Sequence, residues 1–413
     1  MSPKSPIKCG KTFCILPWVH MHLLPSAAVL PCCVWPYKKP IGDASKKSLK
    51  EIWNSEEYRK LRLNMLNEIP SEGCKHCYEV DGAGGVSMRA LNNHRFSHLY
   101  DETVTQTESD GSVAKVHMAY FDVRFSNICN FKCRGCSPEL SSAWSNDWQK
   151  LFDLDKNQSK LINISSAPHI WQELVGFIDT VETAYFAGGE PLLMEEHYRV
   201  LDELIAREKF KVHLSYNTNL SEIRFKGKNI CDYWEKFPDM YVGVSIDDIG
   251  ARGEYFRHGM RWEKLLENFQ YIKQRCPHIY FGVNCTVSVM NVLYLVEVHQ
   301  ELMRQNLIRP EAFYLNFLAE PSELNIQILP TDLKNIASKK IRNYMSEYQS
   351  CGWKPQVVSD LDKSFESVIN FINQNDQTFL IPKFQNRTKK LDMIRGESYE
   401  STFPELAEHL PLA

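Results

Sequence analysis

The 413-residue chain is 43% hydrophobic and 24% charged, with a formal net charge of −3. That is an ordinary globular balance, and it offers no cationic excess to meet nucleic-acid phosphates or an anionic membrane surface. No stretch of about 18 uncharged apolar residues occurs, so no transmembrane helix is expected. The N-terminal lysines precede no long apolar core, and the run Leu23–Val34 is broken by Pro25 and Pro31. A signal peptide is therefore not expected, and the expected address is the cytoplasm. Nine of the thirteen cysteines fall in the first 136 residues. In a cytosolic chain such clustering speaks for metal ligation or catalysis rather than disulfides.

Residues 1–100 are rich in Cys, Trp and Pro and have little periodicity. One helix is expected there, where Ser48 and Glu51 form a capping box ahead of Leu49, Ile52, Trp53 and Leu61. The polar stretch Asp101–Ser112 reads as a linker. From 113 to 330, β-prone runs alternate with amphipathic stretches. The expected strands are Val116–Phe125, Thr183–Phe186, Lys211–Tyr216, Met240–Ile246, Tyr280–Val287 and Ala312–Leu318. Expected helices between them are Glu139–Leu154, Glu195–Ala206, Trp262–Gln274 and Asn291–Gln305. The alternation predicts an α/β fold with a parallel sheet. Six units fit a partial (β/α)6 TIM-like barrel with ligands at the C-terminal strand ends, and a doubly wound open sheet is the alternative. Residues 331–413 read as a helical extension, with helices at Asp332–Tyr348 and Asp360–Asn373.

The first of these strands runs into Cys129-Asn130-Phe131-Lys132-Cys133-Arg134-Gly135-Cys136. Three thiolates in one short loop can hold three irons of a cubane and leave the fourth open to a small molecule. A structural zinc usually takes four ligands, so zinc or three unrelated thiols are the weaker readings. This C-x3-C-x2-C spacing after a first strand resembles the radical S-adenosylmethionine (SAM) superfamily. The resemblance implies that Cys129, Cys133 and Cys136 ligate a catalytic [4Fe–4S] cluster that binds SAM. The residue before the third cysteine is aromatic in many members and Gly135 here.

Ala187-Gly188-Gly189-Glu190-Pro191 follows the second strand, where glycines permit close backbone approach. By the same resemblance, Gly188, Gly189 and Glu190 bind the SAM amino group. Ser215-Tyr216-Asn217-Thr218-Asn219 follows the third strand, and Asn217 is placed at the ribose hydroxyls or at a turn cap. After the fourth strand come Ser245, Asp247 and Arg257. The resemblance implies that Ser245 and Arg257 contact the ribose and the SAM carboxylate, which a guanidinium fork can bind through two oxygens. A solvated surface arginine is the competing reading.

The N-terminal region holds Cys14, Cys32 and the pair Cys74-x2-Cys77. With Phe13-Cys14-Ile15-Leu16-Pro17-Trp18 and Ser48–Ser55, it resembles the twitch or SPASM auxiliary-cluster modules, here placed before the barrel instead of after it. Such modules often carry a glycine five residues before the second ligand, and this chain has Ala27. The resemblance implies an auxiliary [4Fe–4S] cluster on Cys14, Cys32, Cys74 and Cys77, with Cys33 or Cys9 able to replace one of them. Zinc on the same four residues is the alternative. His20, His22 and His76 read as packing or surface residues, and Cys285 and Cys351 as buried structural thiols.

Taken together, the resemblance implies reductive SAM cleavage and hydrogen abstraction from a peptide or small-molecule substrate. It also implies an external one-electron donor such as flavodoxin or ferredoxin, with no nucleic-acid partner. An iron–sulfur electron carrier and a zinc-stabilised binding module are the readings from other classes.

Overall fold

A computed structural model describes residues 10–82, 85–154, 161–164 and 168–412. They divide into two compact units. One comprises the described residues of Met1–Ser126, Ile162–Gly188 and Met194–Ser215, and the other those of Asn127–Leu161, Gly189–Leu193 and Tyr216–Ala413. Among the described residues, no helix is long and apolar enough to cross a membrane.

In the first unit the Cys-rich segment is more regular than its composition suggests. Strands β1 (His20–Leu23), β2 (Ala28–Leu30) and β3 (Gly42–Asp43) form an antiparallel meander. β1 then pairs in parallel with β4 (Tyr120–Val123), with His20 opposite Tyr120 and His22 opposite Asp122. β4 pairs in parallel with β5 (Thr183–Phe186). The N-terminal segment therefore extends the sheet that carries the first expected strand. The turn from β1 to β2 closes through a hydrogen bond from Ala27 N to Leu24 O (2.9 Å), with Ala27 at φ 67°. This left-handed backbone is the conformation a glycine adopts freely, and Ala27 holds it at a cost of about 1 kcal/mol.

Ser48 and Glu51 form the expected capping box on α1 (Leu49–Trp53). The single helix expected through Leu61 is two helices. Ser55 is extended and its side chain accepts from Tyr58 N, which starts α2 (Glu56–Leu66). The expected linker is also partly ordered: Tyr100–Thr105 is helical, and Thr107 bridges Val113. Gly111, at φ +82°, turns against α2, where a Cβ would lie 2.4 Å from Arg59 O. Arg62 explains this docking. It is fully buried between Trp53 and Tyr58, and its guanidinium donates to Pro17 O (3.0 Å) and Gly111 O (3.3 Å). Phe13, Leu16, Trp18, Leu61, Met65 and Phe96 form the core around it.

β6 (His213–Thr218) begins in the first unit's residues and ends in the second's. The second unit carries β7 (Met240–Ser245), β8 (Tyr280–Val287) and β9 (Phe313–Phe317), all parallel. The helices Trp262–Arg275 and Leu295–Arg304 lie between them in sequence, and Glu195–Ala206 belongs to the first unit. The last interior helix starts later than Asn291 because that side chain bonds Asp247 O (2.7 Å) and Thr286 O (3.0 Å) in a turn. Likewise the helix expected from Glu139 is α3 (Ser145–Phe152), preceded by a short 3-10 turn. The C-terminal segment holds α4 (Thr331–Gln349), α5 (Pro355–Gln374) and an unforeseen α6 (Ile381–Arg395). The fold is thus mixed α/β with mostly parallel strands.

Replacing Ser48 with Ala removes the side-chain half of the α1 cap, the bond from Glu51 N to Ser48 Oγ, and leaves the bond from Ser48 N to Glu51 in place. The expected loss is about 1 kcal/mol of unfolding free energy, measured by urea denaturation.

Candidate iron–sulfur and cofactor site

The loop Cys129–Cys136 lies wholly in the second unit and is tied down by its own neighbours. Cys136 N donates to Cys133 O (2.9 Å), Trp144 Nε1 to Cys133 O (2.8 Å) and Ser141 Oγ to Phe131 O (2.6 Å). Three donors face the sulfurs: Phe131 N lies 3.5 Å from Cys129 Sγ, Asn219 Nδ2 3.8 Å from Cys129 Sγ, and Arg257 Nη1 3.8 Å from Cys133 Sγ. Such donors suit sulfurs that carry negative charge. Burial pushes the Cys129 thiol up to about 12, helped by Cys133 and Glu190. Cys133 is held below the ordinary value, first because Cys136 donates a hydrogen bond to it and then, against burial, by Arg257. At Gly135, where many family members carry an aromatic residue, a Cβ would meet Leu318 at 3.2 Å and Phe256 at 3.4 Å, so these two side chains fill the space beside the loop.

Glu190 is 1% exposed and accepts from Thr218 Oγ1 (2.6 Å), Asn219 N (2.7 Å) and Leu192 N (3.1 Å). Its own N donates to Ile128 O (2.7 Å), so one residue joins the glycine turn, the end of β6 and the cysteine loop. Burial raises its carboxyl to about 7, against these donors and Arg257. Gly188 and Gly189 have φ +83° and +48°. Gly188 belongs to the first unit, where a Cβ would meet Arg124 Cδ at 2.9 Å.

Asn217 accepts from Asn284 Nδ2 (2.7 Å), and the partly buried Ser245 stands opposite Asn284 on β7. Arg257 is buried rather than solvated, and its Nε pairs with Asp247 at 2.9 Å. Burial works against its charge, but Asp247 and Cys133 more than offset that. Asp247 is in turn fixed by Thr286 N (2.7 Å). Asn219, expected like Asn217 at the ribose hydroxyls or at a turn cap, accepts from Ser221 N (2.9 Å), while Asp247 stands inside a quoted motif with no role assigned from sequence. Cys285 is buried as expected, whereas Cys351 is exposed.

The first unit gathers the other thiols. Cys14, Cys32 and Cys74 are pushed up by burial, and each is raised further by other members of the Cys14, Cys32, Cys74 and Cys77 set. Cys32 and Cys74 reach about 12 and 11. Cys33 points elsewhere: after burial, its strongest influence is Asp122. Cys9 lies outside the described residues. Four thiols suit a fully ligated cluster or zinc.

Beside Cys33, donor atoms of the buried His20, His22 and Asp122 lie within 4.8 Å of one another. His22 Nδ1 pairs with Asp122 Oδ2 (3.1 Å), and His20 Nδ1 with Tyr120 O (2.9 Å). Burial would raise Asp122, but Arg124 and the imidazoles hold it well below the carboxylate range. Arg124 Nε sits 2.8 Å from Asp122 Oδ1, so a protein cation already balances this carboxylate. The two histidines, expected to be packing or surface residues, are buried and face this carboxylate.

Comparison with known families points to a class. The radical SAM superfamily model matches residues 123–296, less than half of the chain. An SPASM iron–sulfur cluster-binding domain matches residues 14–78, so the auxiliary module precedes the radical SAM domain, the order expected from the sequence. The two matches support an enzyme of the radical SAM class that uses [4Fe–4S] clusters and SAM. Among solved structures, native anSMEcpe with bound AdoMet is similar at 16% identity and TM-score 0.40, covering 55% of this chain and 60% of that one. Streptococcus suis SuiB bound to S-adenosylmethionine is similar at 13% identity and TM-score 0.33, covering 71% and 62%. The chain spans 58–60% of the length of the first solved structures it matches. No curated protein matches it.

The raised Glu190 carboxyl makes a pH-dependent contribution to the cluster-free protein. That contribution is complete below about 4.5, where the group is protonated folded or unfolded, and is lost as pH rises through about 7. Glu190→Gln should flatten the stability slope across this window, worth about 3 kcal/mol at most, in denaturant titrations at successive pH values.

Proposed function

We propose that the protein is a radical SAM enzyme in which Cys129, Cys133 and Cys136 hold the SAM-binding [4Fe–4S] cluster. Cys14, Cys32, Cys74 and Cys77 hold an auxiliary one. The observation that carries this reading is the three-thiol loop with N–H donors aimed at two of its sulfurs, beside a buried arginine. When bound, the catalytic cluster supplies an electron that cleaves SAM to methionine and a 5′-deoxyadenosyl radical able to abstract hydrogen from substrate. A partial (β/α)6 barrel is the architecture that suits this chemistry.

The chain's own residues bind and orient. Arg257, charged and held by Asp247, offers its guanidinium to the SAM carboxylate. Glu190 becomes a carboxylate when the cationic amino group arrives, since an opposite charge offsets the cost of its burial. Asn217 and Ser245 stand at neighbouring strand ends and serve the ribose hydroxyls. The auxiliary cluster, with four thiolates, exchanges electrons with the substrate. The substrate is a peptide or small molecule, and a one-electron donor such as flavodoxin or ferredoxin supplies the reducing equivalent. Because burial keeps Cys14, Cys32 and Cys129 protonated, loading must release protons and will be slower at low pH.

Anaerobic reconstitution should load ~8 irons per chain, falling to ~4 in a Cys129/Cys133/Cys136→Ala variant and to ~4 in a Cys14/Cys32/Cys74/Cys77→Ala variant. With SAM and dithionite, wild type should yield 5′-deoxyadenosine by mass spectrometry, and the first variant none. Fully loaded wild type that yields none, with or without candidate peptides, would overturn the reading.

A further inference from the structure

The C-terminal helices have no part in the site described so far, yet two of their carboxylates reach the cysteine loop. Arg134, between Cys133 and Cys136, is 1% exposed. Its main-chain N donates to Phe256 O (2.7 Å), and Lys132 N donates to His258 O (2.8 Å). These two rungs form a short ladder with Cys133 on one side and Arg257 on the other. That ladder brings Arg257 Nη1 to 3.8 Å from Cys133 Sγ.

Each C-terminal carboxylate bridges both sides of the ladder. Asp392, on α6, accepts from Arg134 Nη2 (2.6 Å) and from Tyr255 OH (2.7 Å) through the same oxygen. Its other oxygen accepts from Tyr399 N (2.7 Å), so it cannot swing away freely. Glu397 takes Arg134 Nη2 on Oε2 and His258 Nδ1 on Oε1, both at 2.5 Å. Gly396, at φ 67°, ends α6 and turns the chain between the two carboxylates. The Arg134 guanidinium lies 3.7 Å over the Tyr255 ring, which fixes the plane in which it offers its donors. On the other side of the loop, Arg395 Nη2 donates to Lys132 O (2.9 Å) while its Nε pairs with Asp147.

We propose that Asp392 and Glu397 act as a double carboxylate staple that, through Arg134, holds the Cys133 loop against the Arg257 segment and so sets the geometry in which cluster and SAM meet. The proposal rests on the radical SAM reading above and adds positioning residues to it. A buried ion pair that served the fold alone would lower stability when broken. It would leave the spectrum of the SAM-bound cluster unchanged. The staple bears on the contact between a cluster ligand and a SAM-binding guanidinium, and misplacement of about 1 Å at such a contact costs on the order of a hundred-fold.

The test uses the full-length reconstituted chain and the isosteric variant Asp392→Asn/Glu397→Gln, with Glu397→Gln alone in case the double variant does not fold. Iron and sulfide content, the electron paramagnetic resonance spectrum of the reduced cluster with and without SAM, and the SAM dissociation constant are measured. The double variant should load iron as wild type does, bind SAM roughly ten-fold or more weakly, and show an altered SAM-bound spectrum. The single variant should show the same changes at about three-fold. Arg134→Lys keeps the charge but loses the fork, and should resemble the single variant. In cluster-free protein, amide exchange across residues 129–137 should be roughly ten-fold faster in the double variant. A folded variant with wild-type SAM affinity, spectrum and exchange overturns the staple. If wild type itself fails to bind SAM, the function reading falls, and the exchange measurement still decides whether the C-terminal carboxylates hold the loop.

Discussion

The Arg257 guanidinium beside the Cys133 sulfur is the contact on which the second unit depends. A buried cation needs a counter-charge, and Asp247 supplies it at 2.9 Å. Asp247 is itself an uncompensated anion unless both its oxygens are engaged, so Thr286 N at the end of β8 takes the second. Asn291 then caps the Asp247 carbonyl, and that turn delays the following helix until Leu295. One charged side chain thus propagates its requirement through two strand ends and a helix start. Glu190 works in the same way from the other side. Its three donors come from two separate stretches of chain, and each would be an orphan if the carboxylate were removed.

The first unit solves a different problem, which is how adjacent cysteines serve two places. The two adjacent cysteines open a turn closed by Trp35 N donating to Cys32 O (3.2 Å), and a turn sends neighbouring side chains in different directions. Cys32 joins the field of Cys14, Cys74 and Cys77, while Cys33 feels Asp122 and Arg124. The left-handed Ala27 turn sets the path of β2 leading to this pair, which is why an alanine there is tolerated despite its strain. Trp18, Phe13 and Leu16 flank Cys14 in the core, so the same apolar residues that fold the module also keep water from its sulfurs.

Much of this could be read from the chain. Helix Glu195–Ala206 and strands Thr183–Phe186 and Tyr280–Val287 have the expected bounds, because an amphipathic period or a run of β-branched and aromatic residues marks them. The three-cysteine loop and the Gly-Gly-Glu turn were legible because their chemistry is local in sequence. What escaped is non-local. The meander β1–β3 is short, lies among prolines and gains its order from pairing with a strand about 100 residues away. The split at Ser55 is a choice between continuing a helix and capping a new one, and pattern alone does not weigh it. Asp392 and Glu397 carry no motif, and their meaning arises only because α6 brings them to Arg134 across more than 250 residues.

The buried thiols carry a cost that geometry alone does not show. On the proposed ligand sets, burial that would shield a cluster also keeps its ligands protonated beforehand, and Cys14, Cys32, Cys74 and Cys129 are all raised by it. Cys133 is the exception, held low by the Cys136 hydrogen bond and by Arg257. Arg257 therefore favours a charged sulfur at Cys133, and its counter-charge Asp247 keeps it there. On the proposed reading the guanidinium that meets SAM is thus the same group that stabilises a charged sulfur at Cys133, and both tasks need Cys133 and Arg257 held in register.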